Sequence, residues 1–192
     1  MIGETGSGKS TKLPQLLMAT EKYSRGGKKI AITLPRRVSV INVAKRLAEN
    51  CCCPIGGEVG YSVRFDSQVS QKTKLKVMTD GMLLQEMLSD PLLSSYSLLV
   101  IDDCHERSTY TDMILGLLKK VRQRRSEDEL KIVISSATID AQKFFDFFQE
   151  APKFRTQVIT VQGRCFPVEL FYLEQPVKDY VAQAVHTVKM IH

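Results

Sequence analysis

Gly3-Glu4-Thr5-Gly6-Ser7-Gly8-Lys9-Ser10 is the stretch that decides the fold. It fits the pattern G-x-x-x-x-G-K-[ST] without a mismatch. The glycines let the backbone turn so that successive N–H groups face an anion. A helix starting directly after them adds the positive end of its dipole. Lys9 is long enough to reach the β and γ phosphates of a nucleotide, and the Ser10 hydroxyl can ligate Mg²⁺. Gly3, Glu4, Thr5, Gly6, Ser7, Gly8, Lys9, Ser10 and the adjoining Thr11 therefore read as a nucleotide-binding loop. A hydrophobic strand normally precedes such a loop. Only Met1 and Ile2 stand ahead of Gly3, so the expectation is a sheet truncated at its first strand, with a neighbouring strand edge left short of partners.

Outward from the loop, short apolar runs alternate with helical patterns. The runs at 29–34, 75–79, 98–102, 131–135, 156–161 and 168–172 are rich in Val, Ile and Leu, with little strict alternation. That suits strands buried on both faces of a parallel sheet. Helical stretches are expected at about 10–24, 38–49, 81–88 and 111–125. The repetition of strand and helix predicts an α/β domain with helices around a parallel sheet. Val177, Tyr180, Val181, Ala184, Val188 and Ile191 recur at helical spacing, which predicts an amphipathic helix over 176–192. Glu174-Gln175-Pro176 reads as a boundary before it.

Leu98-Leu99-Val100-Ile101-Asp102-Asp103 is an apolar strand that ends in two carboxylates. Such a strand carries Asp102 to the sheet edge, where it can hold Mg²⁺ through the ion's water shell. The next acid, Asp103, is placed to orient or deprotonate an attacking water.

Asp102-Asp103-Cys104-His105-Glu106-Arg107 resembles the D-E-A-H-E-R signature of DEAH-box RNA helicases. Thr33-Leu34-Pro35-Arg36-Arg37-Val38 is similar to the family's T-Q-P-R-R-V motif. Gly60-Tyr61-Ser62-Val63-Arg64-Phe65 is similar to its G-Y-x-I/V-R-F segment. Thr79-Asp80-Gly81-Met82-Leu83 matches T-D-G-M-L, and Ser136-Ala137-Thr138 matches S-A-T. Gly163-Arg164-Cys165-Phe166-Pro167-Val168 is similar to G-R-x-F-P-V. Six motifs in the family's order cover almost the whole chain. Asp90-Pro91-Leu92-Leu93 and Tyr110-Thr111-Asp112 resemble a spliceosome-associated branch. An unrelated P-loop GTPase or kinase fits less well, because no N-K-x-D base-reading motif is present.

The resemblance implies a RecA-like fold, with residues 1–162 as the first, ATP-binding domain and 163–192 as linker and start of a second. It implies ATP and Mg²⁺ as cofactors, with Lys9, Asp103 and His105 as catalytic residues, and Ser10 and Asp102 on the metal. Arg46 would stack on the nucleotide base. Arg36, Arg37, Arg64, Thr79, Asp80 and Gly81 would grip RNA, and Ser136 and Thr138 would couple nucleotide state to that grip. Partners implied are RNA and spliceosomal proteins or a G-patch-type activator, in the nucleus, with no oligomer indicated. Two departures stand out: Asp103 where the family has Glu, and a chain that stops at His192 without the second domain's arginine fingers. Both predict little hydrolysis and no unwinding by these residues alone. A competing reading is a non-catalytic RNA- or partner-binding module derived from a helicase.

Composition agrees with that picture. The 192 residues carry a net charge of +6, compatible with a polyanionic partner. Cys51, Cys52 and Cys53 are adjacent, too close to converge on one metal as spaced pairs do, and read with Cys104 and Cys165 as reduced thiols of an intracellular protein. No apolar run approaches the length of a membrane span and no signal pattern opens the chain. The cations Lys119, Lys120, Arg122, Arg124 and Arg125 read as a solvated helix end that complements the macrodipole.

Overall fold

The computed structural model describes residues 1–4, 6–125, 130–137, 141–149, 155–163 and 167–191. Its strands are β1 (Ile2–Gly3), β2 (Lys29–Leu34), β3 (Val59–Val63), β4 (Asp66–Gln68), β5 (Leu75–Thr79), β6 (Tyr96–Ile101), β7 (Lys131–Ile134) and β8 (Thr160–Val161). Its helices are α1 (Lys12–Ala19), α2 (Arg37–Asn50), α3 (Asp80–Ser89), α4 (Thr109–Arg124), α5 (Ala141–Gln149) and α6 (Tyr180–Ile191). Six strands pair in the order β4-β3-β5-β2-β6-β7, all parallel except the β3–β4 hairpin.

The two faces of the sheet follow from the period of 2 in a strand. Ile30, Ile32, Leu34, Leu98 and Val100 pack with Val40, Ala44 and Leu47 of α2. Ala31, Met78, Leu99 and Ile101 pack with Leu83 of α3 and Ile114 and Leu118 of α4. Covering both faces is why β2 and β6 read as continuous apolar runs and not as alternating ones.

The start of the chain takes the place beside β7. The Met1 ammonium donates to the Ile134 carbonyl at 2.6 Å, Ser136 N–H to Met1 O at 3.1 Å, and Gly3 N–H to Ser136 O at 3.2 Å. On its other side β1 runs parallel to β8. Two residues of strand thus satisfy the end of the β7 edge from which the phosphate-binding loop departs.

Several expectations are corrected. The first helix begins at Lys12, not Ser10, because Pro14 has no N–H for the Ser10 carbonyl; starting at Lys12 puts it in the first turn, where no donor is needed. Residues 168–172 form no strand: Val168, Leu170, Phe171 and Tyr172 are exposed, and no described strand lies beside them. The strand expected at 156–161 is only β8. Arg125 is buried, not solvated: Nη1 donates to the Leu92 and Leu93 carbonyls at 3.0 and 2.7 Å, and Nη2 to Tyr96 O at 3.0 Å. Thr5, Thr138, Arg164, Cys165 and Phe166 lie outside the described residues.

Candidate nucleotide and nucleic-acid site

The carboxyl ends of β1, β2, β5, β6 and β7 share one edge, because these strands run parallel. In open α/β sheets that edge is where ligands bind. Gly3 and Glu4 leave it from β1, and residues 6–10 lead into α1. Gly6 (φ 85°) and Gly8 (φ 88°) are left-handed, a backbone that side chains disfavour. A Cβ on Gly3 would lie 2.8 Å from Ser7 Oγ. The Gly8 carbonyl accepts from the N–H groups of Thr11, Lys12 and Leu13, turning the start of α1 back on the loop. Lys9 is buried, and its ammonium donates to Gly3 O at 2.5 Å and Glu4 O at 2.7 Å, with Ser7 Oγ at 3.4 Å. It ties the two ends of the loop through carbonyls that carry only partial negative charge. Ser10 and Thr11 are half-buried at the head of α1.

At the end of β6, Asp102 N–H donates to Thr33 O at 3.0 Å, fastening the carboxylate's backbone to β2. Oδ1 accepts from Asp103 N–H at 3.0 Å. Oδ2 is buried without a partner among the described residues. A buried, unpaired carboxylate oxygen suits a cation or its water shell. Among the described residues no three His, Cys, Asp or Glu side chains converge. A Mg²⁺ here would therefore draw its remaining oxygens from Ser10, phosphates and water, the usual habit of that ion.

Asp103 follows in the left-handed region (φ 52°), which Asp tolerates better than most residues. Burial, then the neighbouring Asp102 carboxylate, push its carboxyl above the ordinary range, while His105 and Lys9 pull the other way. Lys9, Asp103 and His105 thus share one electrostatic neighbourhood. His105 Nδ1 accepts from Ala137 N–H at 3.4 Å. Cys104 is fully buried, its thiol donating to Ile101 O at 3.2 Å, and burial pushes that thiol up. Ser136 is bonded through its backbone to Met1 and Gly3, so the Ser-Ala segment touches the root of the phosphate-binding loop directly.

The cationic residues singled out for RNA lie beyond the same edge. Arg36 is exposed and pairs with Glu106 at 3.1 Å, joining the segment after β2 to the segment after β6. Arg37 is exposed at the start of α2. Arg64 is exposed in the β3–β4 hairpin, its guanidinium 4.8 Å from the ring centre of the equally exposed Phe65. Thr79 precedes α3 and Gly81 lies in its first turn. Asp80 is 1% exposed, so its carboxylate points inward and not to the surface. Its Oδ2 instead accepts from Thr111 Oγ1 at 2.5 Å, with Ser108 Oγ at 3.5 Å. Arg46 lies exposed on α2, paired with Glu49 at 3.4 Å, and no described hydrogen bond joins it to residues 3–10. Reading the sequence gave no individual role to Ser108, Thr111 or Glu106. The available signal was a serine at the start of a helical pattern, the residue type that caps a helix N-terminus.

A family model described as DEAD/DEAH box helicase matches residues 1–147. The loop, the acidic strand end and the parallel sheet accord with it, and the chain belongs to the DEAD/DEAH box helicase family. The chain is 48% identical over 198 residues to the human "Probable ATP-dependent RNA helicase DHX35", covering 100% of this chain and 28% of that protein. It is also 48% identical over 197 residues to the Caenorhabditis elegans DHX35 homolog, covering 26% of it. The chain thus spans little more than a quarter of the length of these relatives. No helix among the described residues is long and apolar enough to cross a membrane.

Proposed function

We propose that this chain is the ATP-binding first domain of an RNA helicase, with residues 1–162 forming that domain and 163–192 the linker and start of a second. ATP lies across residues 3–11, with Mg²⁺ held by Ser10 and Asp102, and RNA lies across Arg36, Arg37, Arg64, Thr79 and Gly81. When bound, Mg²⁺ neutralises phosphate charge. Lys9 contributes a fixed positive charge, and His105 borders the Ala137 backbone. Arginine contacts to phosphate give affinity independent of sequence. The observation that carries the reading is that Lys9 and an Asp102 Oδ2 with no partner among the described residues stand on one sheet edge.

Asp103 stands where the family pattern has Glu, one methylene shorter. Withdrawing a carboxylate by about 1 Å can lower a rate by about a hundredfold, so this domain binds nucleotide and hydrolyses it slowly. In a longer protein it would serve RNA remodelling in pre-mRNA splicing in the nucleus, with spliceosomal proteins or a G-patch-type activator as partners. That assignment rests on the branch-like segments at 90–93 and 110–112. The Asp103 substitution also favours a second reading, a non-catalytic RNA- or partner-binding module descended from a helicase.

The test is Mg²⁺-dependent binding of a fluorescent ATP analogue to the purified chain. Saturable binding that Lys9→Ala abolishes is the expected result. Binding that persists in Lys9→Ala, or that ignores Mg²⁺, would overturn the nucleotide site.

A further inference from the structure

Asp80 carries an unusual load for a residue at the start of a surface helix. It is 1% exposed, and burial pushes its carboxyl above the ordinary range against the opposing pull of the Thr111, Thr33 and Ser108 hydroxyls. Its Oδ2 accepts from Thr111 Oγ1 at 2.5 Å and Ser108 Oγ at 3.5 Å. Those two hydroxyls bond each other at 2.7 Å, and Thr111 N–H donates to Ser108 Oγ at 3.1 Å, which caps α4. Thr33, at the end of β2, is also fully buried. Its hydroxyl and Asp80 Oδ1 make no bond of normal geometry among the described residues, yet lie close enough for the hydroxyl to favour the charged carboxyl.

The cluster thus joins three elements: the end of β2, the first turn of α3 and the cap of α4. Each borders one half of the candidate site. Thr33 O holds the backbone N–H of Asp102. Ser108 follows directly on the segment 102–107. Asp80 lies between Thr79 and Gly81, on the face assigned to RNA. A buried carboxylate is costly unless it is fully bonded, and an apolar side chain would fill the space more cheaply. What the carboxylate adds is direction, because it accepts only where hydroxyls point.

We propose that Asp80 is a positioning residue, joined through Thr111 and Ser108, that makes the first turn of α3 and the segment after β6 move as one piece. It acts without touching RNA or nucleotide. This inference rests on the nucleotide and RNA reading above. Where nucleotide shifts that piece between two positions, RNA affinity at its other end changes with it, by a factor that is the same in both directions.

The test uses the purified chain, a fluorescent single-stranded oligouridylate, and a non-hydrolysable ATP analogue with Mg²⁺. RNA affinity is measured with and without the analogue, and analogue affinity with and without RNA. In the wild type the analogue changes RNA affinity by about fivefold or more. Thr111→Val keeps the shape and removes the 2.5 Å donor. It brings that factor close to one, while each separate affinity stays within about twofold of wild type. Thr111→Ser keeps the hydroxyl and restores the factor. A Thr111→Val chain that retains the factor overturns the proposal, as does one that loses both affinities together with its thermal midpoint. If Thr111→Val does not fold, Asp80→Asn is read by the same factor. A wild type that binds both ligands without coupling sinks this inference alone. A wild type that binds no RNA sinks the functional reading beneath it.

Discussion

Asp102→Asn should make the chain more stable and less able to use Mg²⁺ at once. In the wild type, Asp102 is fully buried, with one carboxylate oxygen on the Asp103 N–H and the other without a partner among the described residues. Its charge also faces Asp103, whose carboxyl it helps to push up. An unsatisfied buried polar group costs about 1–3 kcal/mol. Asn keeps the acceptor for Asp103 N–H and removes the charge, though its NH₂ finds no described acceptor, so a net gain of about 1 kcal/mol is the reasonable share. For a domain of this length that is roughly 2–4 °C in thermal midpoint. Ligand works the other way: nucleotide at a hundred times its Kd adds about 2.7 kcal/mol to a protein that binds it. With Mg²⁺ that is roughly 5–11 °C for the wild type and close to zero for Asp102→Asn. The assay is thermal denaturation of both proteins, with and without the ATP analogue and Mg²⁺. An Asp102→Asn chain less stable than wild type without ligand would refute the account of the orphaned oxygen. A retained Mg²⁺-dependent increment would refute its assignment to the metal.

Two further outcomes follow from single side chains. Arg125→Ala strips the donor from the Leu92 and Leu93 carbonyls, between α3 and β6, and from Tyr96 O at the start of β6, and should cost about 2–4 kcal/mol, read as a lower urea midpoint at unchanged slope; Arg125→Lys should recover only part, since an ammonium lacks the fork that spans Leu93 and Tyr96. The Asp103 carboxyl is raised from 3.8, so its stability contribution is present below that pH and lost as pH rises through its folded value. Asp103→Asn should therefore melt higher than wild type near pH ~7, with the gap closing as the pH is lowered towards ~4; a gap that stayed constant would count against the burial of that carboxyl.

The parts of this protein that were legible in the sequence are those set by neighbours along the chain. The loop at 3–10 needs glycines, a lysine and a hydroxyl at fixed spacing, and that spacing survives into the structure with Gly6 and Gly8 left-handed. The strands at 29–34 and 75–79 lie where the apolar runs placed them, because a strand covered on both faces is apolar at most of its positions, here with Lys29, Thr33, Lys76 and Thr79 as the polar ones. The hairpin of β3 and β4 was missed: Gly60 and Ser62 interrupt the apolar pattern, and pairing with β5 makes strand of it. Position along the chain also failed to say which charged groups are inside. Asp80 belongs to a motif expected on the RNA face, yet the hydroxyls of α4 draw it under the surface. Arg125 ends a cationic run, yet three carbonyls more than 28 residues away take it out of water. Sequence spacing determined the phosphate loop and the sheet, since those depend on local backbone geometry and on apolar runs. Tertiary packing alone decided the fate of the polar groups, since burial depends on what folds over them from elsewhere in the chain.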